Sequence, residues 1–248
     1  MTLVIAIDGP SGSGKSSVAK AVARDLHLAY LDTGAMYRAA TWWCLHQGID
    51  LTRTDDPEVA SAVTAAVLAL PLVMGVDPAA PAVHVDGIDV GADIRTDRIS
   101  AAVSAVATNL DVRAELRRLQ RAAIDAEREG GSFSGGAGIV AEGRDITTVV
   151  APDADARVLL TASEEARLAR RATELHGDAG AAAVEATRDL VVRRDADDST
   201  VSTFHVAADG VVTVDSSDLD LDQTVEAVLT VIADATRPTV QPTAQPGA

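Results

Sequence analysis

Apolar residues in this chain fall into runs of two kinds. Short continuous runs at residues 3–7, 28–31, 139–141, 157–160 and 211–214 have the length of strands buried on both faces. Between them lie segments whose apolar residues recur three and four apart. These are residues 15–26, a stretch from Asp32-Thr33-Gly34 through Trp43 and Leu45, residues 98–129, a long arginine-bearing segment opened by Ser163, Glu164 and Glu165, and residues 221–235. That spacing predicts amphipathic helices. Strands alternating with helices build a parallel sheet covered on both faces, so the expected fold class is α/β.

One stretch breaks the rhythm. Short strands are predicted at residues 72–76, at Val83-His84-Val85 and at Ile88-Asp89-Val90, the last two joined by an Asp86-Gly87 hairpin signal. Residues from about 70 to 95 are therefore expected to form an inserted antiparallel subdomain outside the main sheet. Just before it, residues 59–76 run eighteen positions without a charge, the lower limit for crossing a bilayer. Ser61, Thr64 and Pro71 interrupt that run, and Asp56-Pro57 is an N-cap followed by proline at the first helical position. The expectation is a helix to Leu70, a break at Pro71 and then a strand, with no membrane span.

Composition narrows the function classes. At 248 residues, 47% apolar and 23% charged, the chain can bury the core of one large domain, or of a core with one insertion. Its formal charge of −16 argues against a nucleic-acid polymer as partner, because a polyanion is held by Lys and Arg. Any anionic ligand must instead meet a local concentration of donors. The single cysteine, Cys44, leaves no disulfide framework and no cysteine-based metal site. The opening MTLVIAIDG lacks the basic segment and cleavage site of a signal peptide, so a cytoplasmic location is expected. Residues 237–248 hold Pro238, Pro242 and Pro246 without apolar periodicity and are expected to be disordered.

The local concentration of donors is found in Gly9-Pro10-Ser11-Gly12-Ser13-Gly14-Lys15-Ser16, followed by Ser17, between a predicted strand and a predicted helix. Glycines let successive amides turn inward around phosphate oxygens, and the helix adds its positive N-terminal dipole. In this pattern Lys15 reaches the β- and γ-phosphates and the Ser16 hydroxyl ligates Mg²⁺. The Asn-Lys-x-Asp element of guanine-specific GTPases is absent, and Ile139-Val140-Ala141-Glu142 lacks the aspartate that usually ends the metal-holding strand of motor ATPases.

Further along, Leu31-Asp32-Thr33-Gly34-Ala35-Met36-Tyr37-Arg38 sets a hydroxyl, a glycine and an arginine at the mouth of the next strand, where ligands of open α/β sheets sit. With Glu142-Gly143-Arg144-Asp145, this region resembles nucleoside monophosphate kinases. Ile94-Arg95-Thr96, Ala102-Val103-Ser104, Val112-Arg113 and Arg194-Asp195-Ala196-Asp197-Asp198-Ser199 extend the likeness, and the chain is similar to the bacterial cytidylate kinase family from about residue 3 to 232. The resemblance implies a single P-loop kinase domain over residues 1–236. Within it, a monophosphate-binding insertion would span about 34–110 and a helical lid about 163–200. It implies phosphoryl transfer from ATP to CMP or dCMP, with Mg²⁺, by a monomer.

By the same resemblance, Arg38 and Arg144 are expected on the acceptor phosphate, Thr33 and Asp198 near the sugar with Arg194 close by, and Ser104, Arg113 and Asp145 on the base. A carboxylate accepts from the N4 amino group of cytosine and repels the O4 carbonyl of uracil, which suits Asp145 to rejection of UMP. Read from spacing alone, Ser104 and Arg113 could equally face solvent on their helices. Arg167, Arg170 and Arg171 share one helix face. That face is either a solvated one or a lid supplying charge to the transition state, with Arg167 and Arg171 the better placed. One departure from the family pattern is Val201, where an arginine on the acceptor phosphate is often found three positions after the residue matching Asp198. The six aromatic residues leave little for base stacking beyond Tyr37. The five histidines form no cluster beside an acid or serine, and a phosphate acceptor needs no general base. Two other readings stay open. A kinase of UMP or of a hydroxyl acceptor would, in the latter case, recast Asp32 or Asp145 as base, and a nucleotide switch would have no transfer activity.

Overall fold

The computed structural model describes residues 2–131, 133–177 and 180–237, apart from the side chains of residues 174–176, 189 and 190. The tail expected to be disordered therefore lies, from residue 238 on, outside the described residues. In chain order the first half contains β1 (Leu3–Asp8), α1 (Lys15–Asp25), β2 (Ala29–Asp32), α2 (Thr33–His46), α3 (Pro57–Leu68), β3 (Leu72–Met74), β4 (Val83–Val85), β5 (Ile88–Asp89), α4 (Asp97–Ala107) and α5 (Leu110–Arg128). The second half contains β6 (Gly138–Gly143), β7 (Ala156–Thr161), α6 (Glu164–His176), α7 (Ala181–Ser199), β8 (Val212–Asp215) and α8 (Leu221–Ala235).

Five strands pair in the order β2-β6-β1-β7-β8, all parallel. Because side chains alternate along a strand, β1 sends Ile5 and Ile7 to one face and Val4 and Ala6 to the other. The first face packs on Val18 and Val22 of α1 and Val225, Val228 and Ile232 of α8. The second packs on Met36, on Ile124 of α5, and on Ile146 and Val150 of a wide π-helical turn after β6. Burying each such aliphatic side chain is worth about 1.5–3 kcal/mol. The register aligns Asp8 with Gly143 and Asp32 with Glu142, so the residues leaving β1, β2 and β6 emerge along one edge of the sheet.

A separate three-stranded antiparallel sheet, β3-β4-β5, sits beyond α2. Its hairpin turn places Asp86 (φ 51°) and Gly87 (φ 75°) in the left-handed region, as a tight turn between twisted strands requires. The helix read over residues 98–129 is two helices. Apolar periodicity carries through the junction, but the Asn109 side chain accepts from the amides of Asp111 and Val112 and starts a new helix. α2, α3, α4 and α5 then close around Val63, Val67, Val106 and Leu116. Elsewhere local signals act as caps. Asp32 caps α2 through Ala35, Ser163 caps α6 through Ala166, and Asp220 forms a capping box with Gln223 at α8. No helix among the described residues is long and apolar enough to cross a membrane.

Candidate active site

The loop from Gly9 to Ser16 joins β1 to α1. Gly12 and Gly14 take left-handed φ values of 78° and 87°, and no acidic residue lies in the first turn of α1 to offset its positive end. A Cβ at Gly9 would collide with the carbonyl oxygen of Leu160 in β7. The Pro10 carbonyl accepts from Lys15 Nζ at 3.4 Å and from the Ser13 amide, folding the loop over its own lysine. Burial lowers the Lys15 pKa, with Arg144 and Arg194 adding to the effect, while Glu142 and Asp32 oppose it.

A polar cavity of about 200 Å³ opens at this loop. Six cationic side chains line it: Lys15, Lys20, Arg38, Arg95, Arg171 and Arg194, against the carboxylates Asp32 and Glu142. Arg38 is buried on α2, where its Nη1 donates to the Ile94 carbonyl (3.2 Å) and to Ser100 Oγ (2.8 Å). Burial first, then repulsion from Arg194 and Arg171, brings its pKa down to about 9. Arg194 is likewise pushed down by burial and by Arg144. A small extension of the cavity is lined by Ser11, Arg38, Ser100, Arg171 and Arg194. Mutually repelling guanidinium groups around one space are what an anion relieves.

On the other flank of the loop a second cavity, of about 330 Å³, lies between Gly12–Gly14, Val18 and the segment carrying Leu219, Leu221 and Thr224. Arg170 borders it, with its guanidinium donating to the carbonyls of Ser216 and Leu219. This slot is less polar than the first and suits a flat base.

At the end of β6, Glu142 accepts from Ser16 Oγ at 2.5 Å and from Tyr30 Oη at 3.1 Å. Desolvation raises its pKa, with Asp32 adding and Lys15 opposing. The Thr33 hydroxyl is buried and donates to the Glu142 carbonyl at 2.7 Å. A second charged cluster follows at Asp145. Asp145 Oδ2 accepts from Arg113 Nη2 (2.7 Å) and from Arg117 Nη2 (2.7 Å) and Nε (3.1 Å). Arg113 also reaches the Ala107 carbonyl and Ser202 Oγ, and lies 5.6 Å from the Tyr37 ring centroid. Arg113 Nε and Tyr37 Oη are buried without a hydrogen-bond partner among the described residues. Burial pushes the Tyr37 phenol up to about 12. Ser104 is half-buried on α4, one turn before Ala107.

The remaining expected residues gather around Arg144. Its Nη2 lies 2.9 Å from both Asp195 and Asp198, its Nη1 donates to the Gly9 carbonyl, and its guanidinium sits 4.3 Å above the buried Phe204 ring. Arg167 binds Asp195 and the Ser11 carbonyl. Val201 is half-buried just after α7, beside Ser202.

Several participants were not singled out by sequence reasoning. Asp8, at the end of β1, accepts from the amides of Ile146 and Thr147 and the Thr147 hydroxyl, which ties the turn after Asp145 to the glycine loop. A carboxylate ending an apolar run just before that loop was the available signal. Arg117 lies one turn beyond Arg113 on the same helix face, and Asp195 lies three residues before Asp198 on another. Nothing local pointed to Ser202 or Phe204.

A sequence model of the family described as cytidylate kinase matches residues 5–234. A cytidylate kinase of Streptomyces avermitilis is 49% identical, over 93% of this chain and 92% of its own. Those of Streptomyces griseus, at 47% identity over 93% of each chain, and Cutibacterium acnes, at 48% over 93% and 96%, are similarly close. A family match over nearly the full chain, with relatives almost half identical over more than nine-tenths of it, places the chain in the cytidylate kinase family.

Proposed function

We infer that this protein transfers the γ-phosphoryl group of ATP to CMP or dCMP. The observation that carries this reading is the single 200 Å³ cavity in which Lys15 of the glycine loop faces Arg38 and Arg194. Two phosphates can meet end to end there. The triphosphate lies along Gly9–Ser17, with its base in the slot beside Leu219 and Leu221. The acceptor phosphate rests on Arg38 and Arg194, with Arg171 supplying the charge that Val201 does not. Arg144, held by Asp195 and Asp198 and near enough to lower the pKa of Lys15 and Arg194, joins Arg38 on that phosphate. Thr33 and Asp198 flank the sugar. The base enters against Tyr37 and meets Ser104, Arg113 and the Oδ1 edge of Asp145.

The nucleophile is an acceptor phosphate oxygen, already anionic at neutral pH, so no side chain need remove a proton. It bonds to the γ-phosphorus as the bond to the β–γ bridging oxygen breaks, and ADP departs with that electron pair. Catalysis is then alignment plus charge cancellation, which arginines supply through a planar fork that stays charged. A Mg²⁺ site fits the residues present. The Ser16 hydroxyl and the Glu142 carboxylate converge, with Asp32 nearby, a hard-oxygen set of the kind Mg²⁺ prefers while keeping several waters. When bound, Mg²⁺ neutralises charge on the β- and γ-phosphates. That all these groups come from one chain supports a monomer, and the chain's acidity fits a cytoplasmic enzyme.

The test is ATP consumption with CMP, dCMP, UMP, AMP and no acceptor. Turnover is expected with CMP and dCMP and to be small with the others. Acceptor-independent hydrolysis at the same rate would replace this reading with a nucleotide switch. Lys15→Ala should lower turnover by about 10²-fold or more with the circular dichroism spectrum unchanged.

A further inference from the structure

We propose that Asp195 and Arg167 form a latch that clips the helical lid onto Ser11 of the glycine loop, making both positioning residues for phosphoryl transfer. The inference rests on the phosphoryl transfer described above and concerns how its arginines are held. Asp195 lies in the last turns of α7 and Arg167 in the first turn of α6. The Ser11 amide donates to Asp195 Oδ1 at 3.1 Å, and the Ser11 carbonyl accepts from Arg167 Nη1 at 2.9 Å. The same Nη1 donates to Asp195 Oδ2, closing a ring of hydrogen bonds through lid and loop. One ion pair thus occupies both backbone groups of one loop residue. At Gly12 the Arg167 carbonyl oxygen fills the space a Cβ would need. A side chain there would push α6 off the loop.

Burial opposes the Asp195 charge, but Arg144, the Ser11 amide and Arg167 outweigh it and hold the carboxyl below its usual range. The latch therefore stays ionised at neutral pH. Its consequence is geometric. Arg171 follows Arg167 by one helical turn, and Arg194 directly precedes Asp195, so fixing the latch presets the two lid arginines that line the phosphate cavity. Arg167 accordingly acts through Ser11 and Asp195, and Arg171 is the arginine of α6 aimed at the reacting phosphates.

The experiment compares Asp195→Asn, Arg167→Lys and the double variant in the full-length chain. It measures kcat, the KM for ATP and for CMP, and acceptor-free ATP hydrolysis, each rate normalised to the folded fraction from circular dichroism. Each single variant is expected to lower kcat about 10- to 100-fold with the KM for CMP changed less than about threefold. The double should be no slower than the worse single, because the pair works as one unit. The ratio of acceptor-free hydrolysis to transfer should rise in all three, which a loss of stability alone would not produce. Additive losses, or an Asp195→Asn kcat within about twofold of the parent, would overturn the latch. Failure of the parent itself to phosphorylate CMP would instead overturn the kinase reading.

Discussion

Glu142 shows how one side chain sets a pH dependence. Burial, followed by the field of Asp32, holds its carboxyl above the ordinary glutamate range, while Lys15, Ser16 and Tyr30 pull the other way. Such a group is ionised only above its raised pKa, so its capacity to share a cation with Ser16 is lost as pH falls through a value higher than the usual ~4.3. Turnover at limiting free Mg²⁺, where the carboxyl holds no cation, should show an acid limb in that elevated range. The residual rate of Glu142→Gln should lack it, and a limb retained in the variant would assign the titration elsewhere. Asp145 is the second residue whose charge has a readable outcome. Asparagine there offers a donor as well as an acceptor, so Asp145→Asn should raise the ratio of UMP to CMP kcat/KM by about 10²-fold. It also strips the counter-charge from Arg113, which is only 4% exposed, and should lower stability by roughly 1–3 kcal/mol in thermal denaturation. An unmoved acceptor ratio would remove Asp145 from base recognition.

The joint between α4 and α5 links the two helices that carry Ser104 and Arg113. Asn109 holds it, accepting from two amides of α5 and donating to Thr64 Oγ1 at 3.1 Å on α3. Asn109→Ala is expected to cost about 0.5–2 kcal/mol of unfolding free energy, read as a melting temperature lower by a few degrees. The KM for CMP should rise with little change in the KM for ATP, and equal changes in both would mean the joint does not act on the acceptor side alone. The same joint marks what could be read beforehand. Apolar periodicity runs unbroken from residue 98 to 129, so the pattern joined two helices that a single side-chain cap separates. Strings such as the glycine loop, Asp32-Thr33-Gly34 and Asp56-Pro57 were legible because each acts on its own neighbours. Glu142 with Ser16, Asp8 with Thr147 and Asp195 with Ser11 were not. Their partners lie 126, 139 and 184 residues away and meet only once the strands take their parallel register and α7 packs on the glycine loop.

At the scale of the whole molecule, two electrostatic fields of opposite sign compete. The formal charge of −16 repels any phosphorylated metabolite at a distance, and six cations around one cavity attract it at close range. Salt weakens these unequally. The screening length is about 30 Å at 0.01 M, about 10 Å at 0.1 M and about 3 Å at 1 M, so moderate salt removes the long-range repulsion while leaving the cavity's field largely intact. Only near the upper end are the charges inside the cavity mouth screened as well. The kcat/KM for CMP at saturating ATP should therefore rise from about 0.01 to about 0.1 M salt and fall again toward 1 M, giving a maximum between them. A protein whose binding face dominates its total field would lose rate steadily from the lowest salt. The measurement is a salt series with a non-binding electrolyte at constant free Mg²⁺. A monotonic fall would mean that the cavity's charges project beyond the acidic surface and steer the nucleotide from far away. A flat profile would mean that neither field governs its arrival.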